Sequence, residues 1–332
     1  MNLDFHKNHG LLFGVVFFGF IGLTLIIAIG PALWVQDHNS PLPGSRALTE
    51  QEQRGMNIYV AEGCLYCHTQ QVRPLDVDAP FGRPSAPGDY ARLRPLDNWR
   101  MTPEILGTER TGPDLSNAAS RQPSDTWQFI HLYNPRAVVK DSVMQAYPWL
   151  FETKQHPASE DVVVPVPQEY APREGKVVAT QKAKDLVAYL LSLKQVPIAE
   201  TETGAQTPPF KAGVTEIGLG AQVYASHCAS CHQPNGEGVP GAFPPLKDDP
   251  VATDKDPKRH IEIVLFGLQS VAIGGVNYTS PMPAQAQALS DSEIAAVINH
   301  ERKSWGNNAP TVTPQDVAII RNHHREANEE QR

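Results

Sequence analysis

From Leu11 to Val35 the chain reads LLFGVVFFGFIGLTLIIAIGPALWV, with no charged residue between Lys7 and Asp37. That exceeds the roughly 20 apolar residues needed to cross a bilayer. A cleaved leader has an apolar core of only about 7–15 residues and ends in small residues. Here Trp34-Val35-Gln36 stand where small residues would be required, so the pattern predicts an uncleaved transmembrane anchor. Trp34 is placed as an interfacial aromatic, and Gly14, Gly19 and Gly22 would let a neighbouring helix approach closely.

Beyond the anchor the apolar residues fall into shorter segments. Asp37 to Arg46 is a polar connection with two prolines and a glycine. Thr49-Glu50-Gln51-Glu52 has the form of a capping box and should start a helix on which Gly55 and Tyr59 share a face. Leu186, Val187, Leu190 and Leu193 form an apolar stripe, with Tyr189 beside it, predicting a helix from Thr180 to Leu193. Gln195 to Thr215, with Pro197, Glu200, Glu202, Pro208 and Pro209, lacks apolar periodicity and reads as a linker. After it, Gly220, Tyr224 and Cys228 stand at four-residue intervals. Ser290 to Glu293 is a second capping box, opening a helix that continues through Ile294, Val297 and Ile298 to Trp305-Gly306. Thr313 to Arg321 suggests a short helix, and His323-His324 reads as part of a solvated charged tail. The proline- and valine-rich stretch from Asp161 to Arg173 reads as a loop or hairpin.

The candidate chemistry lies in two short runs, Gly63-Cys64-Leu65-Tyr66-Cys67-His68 and Cys228-Ala229-Ser230-Cys231-His232. A Cys-x-x-Cys-His run is the attachment site of a c-type haem. Its thiols form thioethers with the haem vinyl groups, and the adjoining imidazole reaches the iron. The two runs use all 4 cysteines, leaving none for a disulfide. A zinc ribbon needs its Cys pairs roughly 15–20 residues apart, far closer than these, and a thioredoxin-like pair does not require the following His. Two covalently bound haem c groups are therefore expected, with His68 and His232 as iron ligands.

For the sixth ligand at the first site the residues offer Met56, Met101 and Met144. Met56 lies before the motif and faces the wrong way, which leaves the other two. Met282 is the only methionine after His232, with His260 and His300 as outside candidates at the second site. Length, 332 residues, allows two or three domains. The formal net charge of −8 makes nucleic acid a poor partner.

The string Gly63 to Pro74, then Arg110-Thr111-Gly112-Pro113-Asp114-Leu115, Asn134-Pro135-Arg136 and Met144-Gln145-Ala146-Tyr147-Pro148-Trp149-Leu150, resembles the mono-haem cytochrome c subunit of cbb3-type cytochrome c oxidases, called CcoO or FixO. The resemblance covers roughly residues 1–195, including the single anchor. It implies Met144 as the distal ligand and a Gly-Pro segment over the proximal His, so that Pro113 offers its carbonyl to His68. Arg73 is a candidate partner of a haem propionate. The second region resembles the small class I cytochromes c, including those attached to oxidases and quinone-linked dehydrogenases. A proline carbonyl is again expected near its His232, from Pro245. The Gly55/Tyr59 and Gly220/Tyr224 pairs are placed like the crossing of first and last helices in such cytochromes. The Tyr-to-Cys step is five in one region and four in the other, as in two diverged versions of one unit.

The expected architecture is mainly α: a cytoplasmic amino terminus (1–10), a transmembrane helix (11–35), a connection (36–48), a CcoO-like cytochrome c domain (49–195), a linker (196–215) and a class I cytochrome c domain with its tail (216–332). Irons ligated by His and Met leave no open site, and the other side chains offer no acid/base or nucleophile set, so the expectation is electron transfer rather than substrate chemistry. The resemblance implies an electron-transfer subunit in a bacterial inner membrane with its haem domains on the periplasmic side. Its expected partners are the catalytic subunit of a haem-copper oxidase, other oxidase subunits and an upstream cytochrome c or quinol:cytochrome c reductase. The fused second domain departs from the usual mono-haem subunit. Alternatives are a subunit of a nitric oxide reductase or of a quinone-linked dehydrogenase and, from other classes, a dihaem peroxidase or a haem-based gas sensor.

Overall fold

The computed structural model describes residues 4, 7–38, 42–90, 106–196, 198, 216–278, 280–286 and 288–330. Met101 and most of the expected linker lie outside them. The amino-terminal apolar run is helical throughout: α1 (His9–Leu23), a π-helical stretch (Thr24–Ile29) and α2 (Gly30–His38). The π stretch ends at Ile29, two residues before Pro31, which has no N–H to donate. The Gly30 N–H accordingly reaches five residues back to Leu25 O. Residues His9–Trp34 are long and apolar enough to span a membrane, and none of the most apolar stretch is buried.

The first helical layer pairs α3 (Glu50–Ala61) with a helix far along the chain. α3 starts at the expected capping box, in which Thr49 Oγ1 accepts from the Glu52 N–H and Glu52 from the Thr49 N–H. Between the pair come α4 (Ala118–Arg121), α5 (Asp125–Tyr133) and an antiparallel hairpin of β1 (Phe151–Lys154) and β2 (Lys176–Ala179). The 161–173 stretch is the connection inside that hairpin, and Val163 adds a bridge to Val178. α6 (Gln181–Ser192) follows with Thr180 as its N-cap. α3 and α6 cross at Gly55, where an added Cβ would stand 1.9 Å from Asp185 O. Tyr59 and Tyr189 pack beside the crossing with ring centroids 5.5 Å apart, and Arg54 pairs with Asp185 at 2.8 Å.

The second layer repeats this plan. α7 (Glu216–Val223) passes through a π-helical turn, Tyr224–Cys228, into α8 (Ala229–His232). α9 (Pro250–Thr253) and α10 (Lys258–Phe266) precede the hairpin of β3 (Val271–Ile273) and β4 (Val276–Tyr278), whose two-residue turn is Gly274-Gly275, both at positive φ as such a turn requires. α11 (Asp291–Lys303) begins at the Ser290/Glu293 capping box and crosses α7 at Gly220, where a Cβ would stand 2.2 Å from Ala296 O. α11 ends before Trp305-Gly306, because both residues take positive φ there. The last helix is longer than expected: α12 spans Pro314–Glu330. His324 is not merely a solvated tail residue, since its ring stacks on Phe266 at 3.8 Å.

The layers are in contact. Val239, Ala242 and Phe243 of the second join the apolar cluster built on Tyr59, Ile130, Leu150 and Leu186 of the first.

Candidate functional site

In the first Cys-x-x-Cys-His loop, α3 stops at Glu62 and Gly63 turns left-handed (φ 74°), starting the 3-10 turn Cys64–Tyr66. His68 then faces the 110–115 segment. Its Nδ1 lies 2.8 Å from Pro113 O. A carbonyl can only accept, so Nδ1 carries the hydrogen and Nε2 is left as the ligating nitrogen. A Cβ on Gly112 would meet the His68 ring at 2.2 Å, so glycine there lets the backbone lie against the imidazole. Asp114 ties the two segments together, accepting from Thr69 Oγ1 at 2.6 Å, Gln71 N at 2.8 Å and Ser116 N at 2.9 Å.

Met144 is partly buried against the cluster containing Cys64, while Met56 is buried in the α3–α6 core beside Tyr189. Arg73 differs from expectation. Its guanidinium is held by Asp78 through Nε–H and Nη2–H donations, both 2.9 Å, which take the fork expected for a propionate.

The second loop opens onto a cavity of about 1250 Å3, including its solvent-open mouth, whose walls include Cys228, Cys231, His232 and Met282. His232 Nδ1–H donates to Pro244 O at 2.9 Å. The expected proline was Pro245; the carbonyl that points at the ring belongs to the residue before it. Met282 is fixed by a two-way backbone bridge to Leu268, of 2.7 and 3.1 Å, at the base of the β3–β4 hairpin. His260, an outside candidate for the iron, instead donates Nε2–H to Glu301 at 2.8 Å, and both are buried. His300 packs on Tyr224 and Trp305.

Burial pushes the Cys64 and Cys231 thiols up to about 12 and raises Cys228 as well. Such groups are neutral thiols at pH 7, unlike the depressed thiolates of a redox pair. Burial lowers both His68 and His232, against the opposing pull of their carbonyl partners, so each offers a neutral ring. Neutral thiols beside a neutral imidazole, in a largely apolar cavity with a thioether in its wall, fit a covalently held haem.

The sequence did not single out Asp114 as the brace of the first loop. Nor did it find Trp127, whose Nε1–H donates to Ser230 O at 2.9 Å inside the second loop, or Arg121, which lines the second cavity. Position in the chain gave no signal for contacts between regions so far apart.

The helix crossings and Cys-x-x-Cys-His loops define a cytochrome c, a haem c protein built for electron transfer. The family model described as "Cytochrome C oxidase, mono-heme subunit/FixO" matches residues 4–195, and the "Cytochrome c" model matches 217–305. The chain belongs to the FixO family, with a cytochrome c domain fused behind it. It is also similar to the cytochrome c subunit of a quinone alcohol dehydrogenase from Gluconobacter oxydans (strain 621H), 37% identical over 85% of this chain and 54% of that protein. Cytochrome c-552 of Thermus thermophilus is 45% identical over 26% of this chain and 69% of its own length. The gluconate 2-dehydrogenase cytochrome c subunit of Pantoea cypripedii is 39% identical over 31% and 24%. The chain thus spans about half the length, or less, of the alcohol dehydrogenase cytochrome subunits it matches.

Proposed function

We propose that this chain is a membrane-anchored dihaem cytochrome c subunit that delivers electrons to the catalytic subunit of a cbb3-type haem-copper oxidase. The observation that carries the reading is the FixO match, which runs unbroken from the apolar helix through the first haem loop to residue 195. The two haem units are 49–195 and 216–332, joined by the 196–215 linker. Each has a glycine-mediated helix crossing, a Cys-x-x-Cys-His loop and a proline carbonyl on the loop histidine, which supports two class I cytochrome c folds.

Bound haem supplies one-electron chemistry at its iron. The chain's part is to hold and tune it. Cys64 and Cys67, and Cys228 and Cys231, would hold the macrocycle through thioethers. His68 and His232 present Nε2, with ring orientation and tautomer set by Pro113 and Pro244. Met144 and Met282 would supply thioether ligands to the irons, which would raise the potentials and leave no iron site for substrate. A dihaem peroxidase needs one haem without a strong sixth ligand, so the same methionines weigh against it. Beside the first loop, Tyr66, Val143 and Trp149 expose apolar surface, a face suited to a catalytic partner. The anchor crosses the bacterial inner membrane with its amino terminus inside and both haem units on the periplasmic side. The second region would collect electrons from a cytochrome c or a quinol:cytochrome c reductase, and other oxidase subunits would complete the assembly.

A second reading, the cytochrome subunit of a quinone-linked dehydrogenase, is favoured by the Gluconobacter relative, whose match covers 85% of this chain. Recovery of the complex in mild detergent separates the two. Haem b and copper should co-purify, with oxygen uptake driven by a reduced cytochrome, and Met144→Ala should impair uptake while the covalent haem remains. Haem b without copper, or neither, would end the oxidase reading and turn the search to nitric oxide reduction and quinone-linked dehydrogenases.

A further inference from the structure

The two haem regions meet through the 118–138 segment of the first and the 228–243 segment of the second. At the centre is Trp127 on α5, only 7% exposed. Its indole N–H bonds to the carbonyl of Ser230, which stands between Cys228 and Cys231. On its other side Trp127 stacks on His131, one helical turn along, with ring centroids 4.5 Å apart and planes inclined by 14°. His131 Nδ1 is buried without a hydrogen-bond partner among the described residues. Burial, with a further contribution from nearby His68, pushes His131 down to about 3. The ring is therefore neutral at pH 7.

Two further contacts bracket this stack. Gln233 Nε2–H donates to Val138 O at 3.1 Å. Arg121 lines the second cavity and also donates to Asp114 O, next to the Pro113 that holds His68. One wall of the second site is thus built by the first region, and Trp127 belongs to the same buried cluster as Cys64 of the first loop, with Cys231 of the second packed against it.

We propose that Trp127 and His131 are the medium that couples the two haem sites, so that electrons pass directly between them within one chain. This rests on the reading that both loops carry haem. The step moves one electron: the ferrous iron of one site is oxidised to ferric as the ferric iron of the other is reduced to ferrous. No bond is made or broken, no proton moves, and neither ring is itself oxidised. Both rings are positioning residues that shorten the gap otherwise left to solvent.

The test uses the full-length dihaem protein in detergent. A fast photoreductant injects one electron and absorbance follows its redistribution between the haems, at a rate independent of protein concentration. Trp127→Ala should slow that redistribution about tenfold or more, and Trp127→Phe, which keeps a ring but loses the bond to Ser230, by less. Gln233→Ala removes the bond to Val138 and a longer one, 3.4 Å, to Ser230 O, but leaves both rings and the indole bond in place and should leave the rate near wild type. The Trp127 indole N–H should also be slow to exchange in the NMR spectrum of the unvaried holoprotein.

An unchanged rate in both Trp127 variants, with two haems attached, would overturn the coupling role alone. Equal slowing by Trp127→Ala and Gln233→Ala would overturn it too, because loosened docking would then explain both. A rapidly exchanging indole would show that the contact does not persist in solution. A single covalent haem per chain would overturn the two-haem reading and this proposal together.

Discussion

The two Cys-x-x-Cys-His regions hold their loop histidines in the same way but reach them differently. In the first, the helix is broken by Gly63 at positive φ and a 3-10 turn carries the cysteines. In the second, the helix widens into a π turn and continues into His232 without a left-handed residue. The extra residue in the Tyr-to-Cys step of the first region is absorbed by that break. What survives both routes is the glycine crossing, the paired cysteines and a proline carbonyl on Nδ1 of the histidine. These features recur in both regions, and the route between them differs.

The surest way to break this equivalence is to remove one attachment site at a time. Replacing Cys64 and Cys67 together by Ser, or Cys228 and Cys231 together, should each halve the covalent haem measured per protein by pyridine haemochrome absorbance. If one pair of substitutions leaves the haem content unchanged, that loop is not an attachment site and the two regions are not equivalent.

Both loops and both capping boxes were legible in the sequence because their signals are local: a fixed spacing, or a hydroxyl and a carboxylate three residues apart. The Thr180–Leu193 helix was equally clear from its stripe, and Gly55 and Gly220 pointed correctly to the crossings. The errors came where a choice between neighbours depends on backbone direction. Pro244 and Pro245 are adjacent, and only the chain path through Gly238 and Phe243 decides which carbonyl turns toward His232. Arg73 was legible as a cation but not as a claimed one, since its partner Asp78 gives no helical or strand periodicity to read. The contact between Trp127 and Ser230 lies between residues separated by the hairpin, α6 and the linker. No local pattern encodes it.

A finer comparison concerns the crossings. A methyl group at Gly55 would stand 1.9 Å from Asp185 O, and one at Gly220 would stand 2.2 Å from Ala296 O. Neither backbone can yield without moving its helix, and such overpacking costs about 1–3 kcal/mol. Gly55→Ala should lower the thermal midpoint of the holoprotein more than Gly220→Ala, because its clash is the closer. The reverse order in calorimetry would mean that the α3–α6 pair is the looser one.

The smallest expected effect lies in how the two regions respond to acid. The first is braced by carboxylates: Asp78 takes two guanidinium donations and one backbone donation from Arg73 and pairs with Arg110 at 3.1 Å. The hydrogen bond from Arg73 holds its carboxyl down to about 2. A carboxyl lowered in the folded state contributes stability that is complete above its unfolded value, roughly 3.9, and is lost as pH falls through 2. The second region has a smaller brace of this kind, Asp316 lowered by its hydrogen bonds from Thr313, and its buried Arg302 donates to carbonyls, Pro310 O at 2.7 Å and those of Ala252 and Asp254. Those carbonyl acceptors do not titrate. Thermal unfolding followed from pH 5 to pH 2 should therefore show the first region weakening first, and Asp78→Asn should flatten that decline while lowering stability at pH 7. An acid limb identical in Asp78→Asn and wild type would mean that other carboxylates set it.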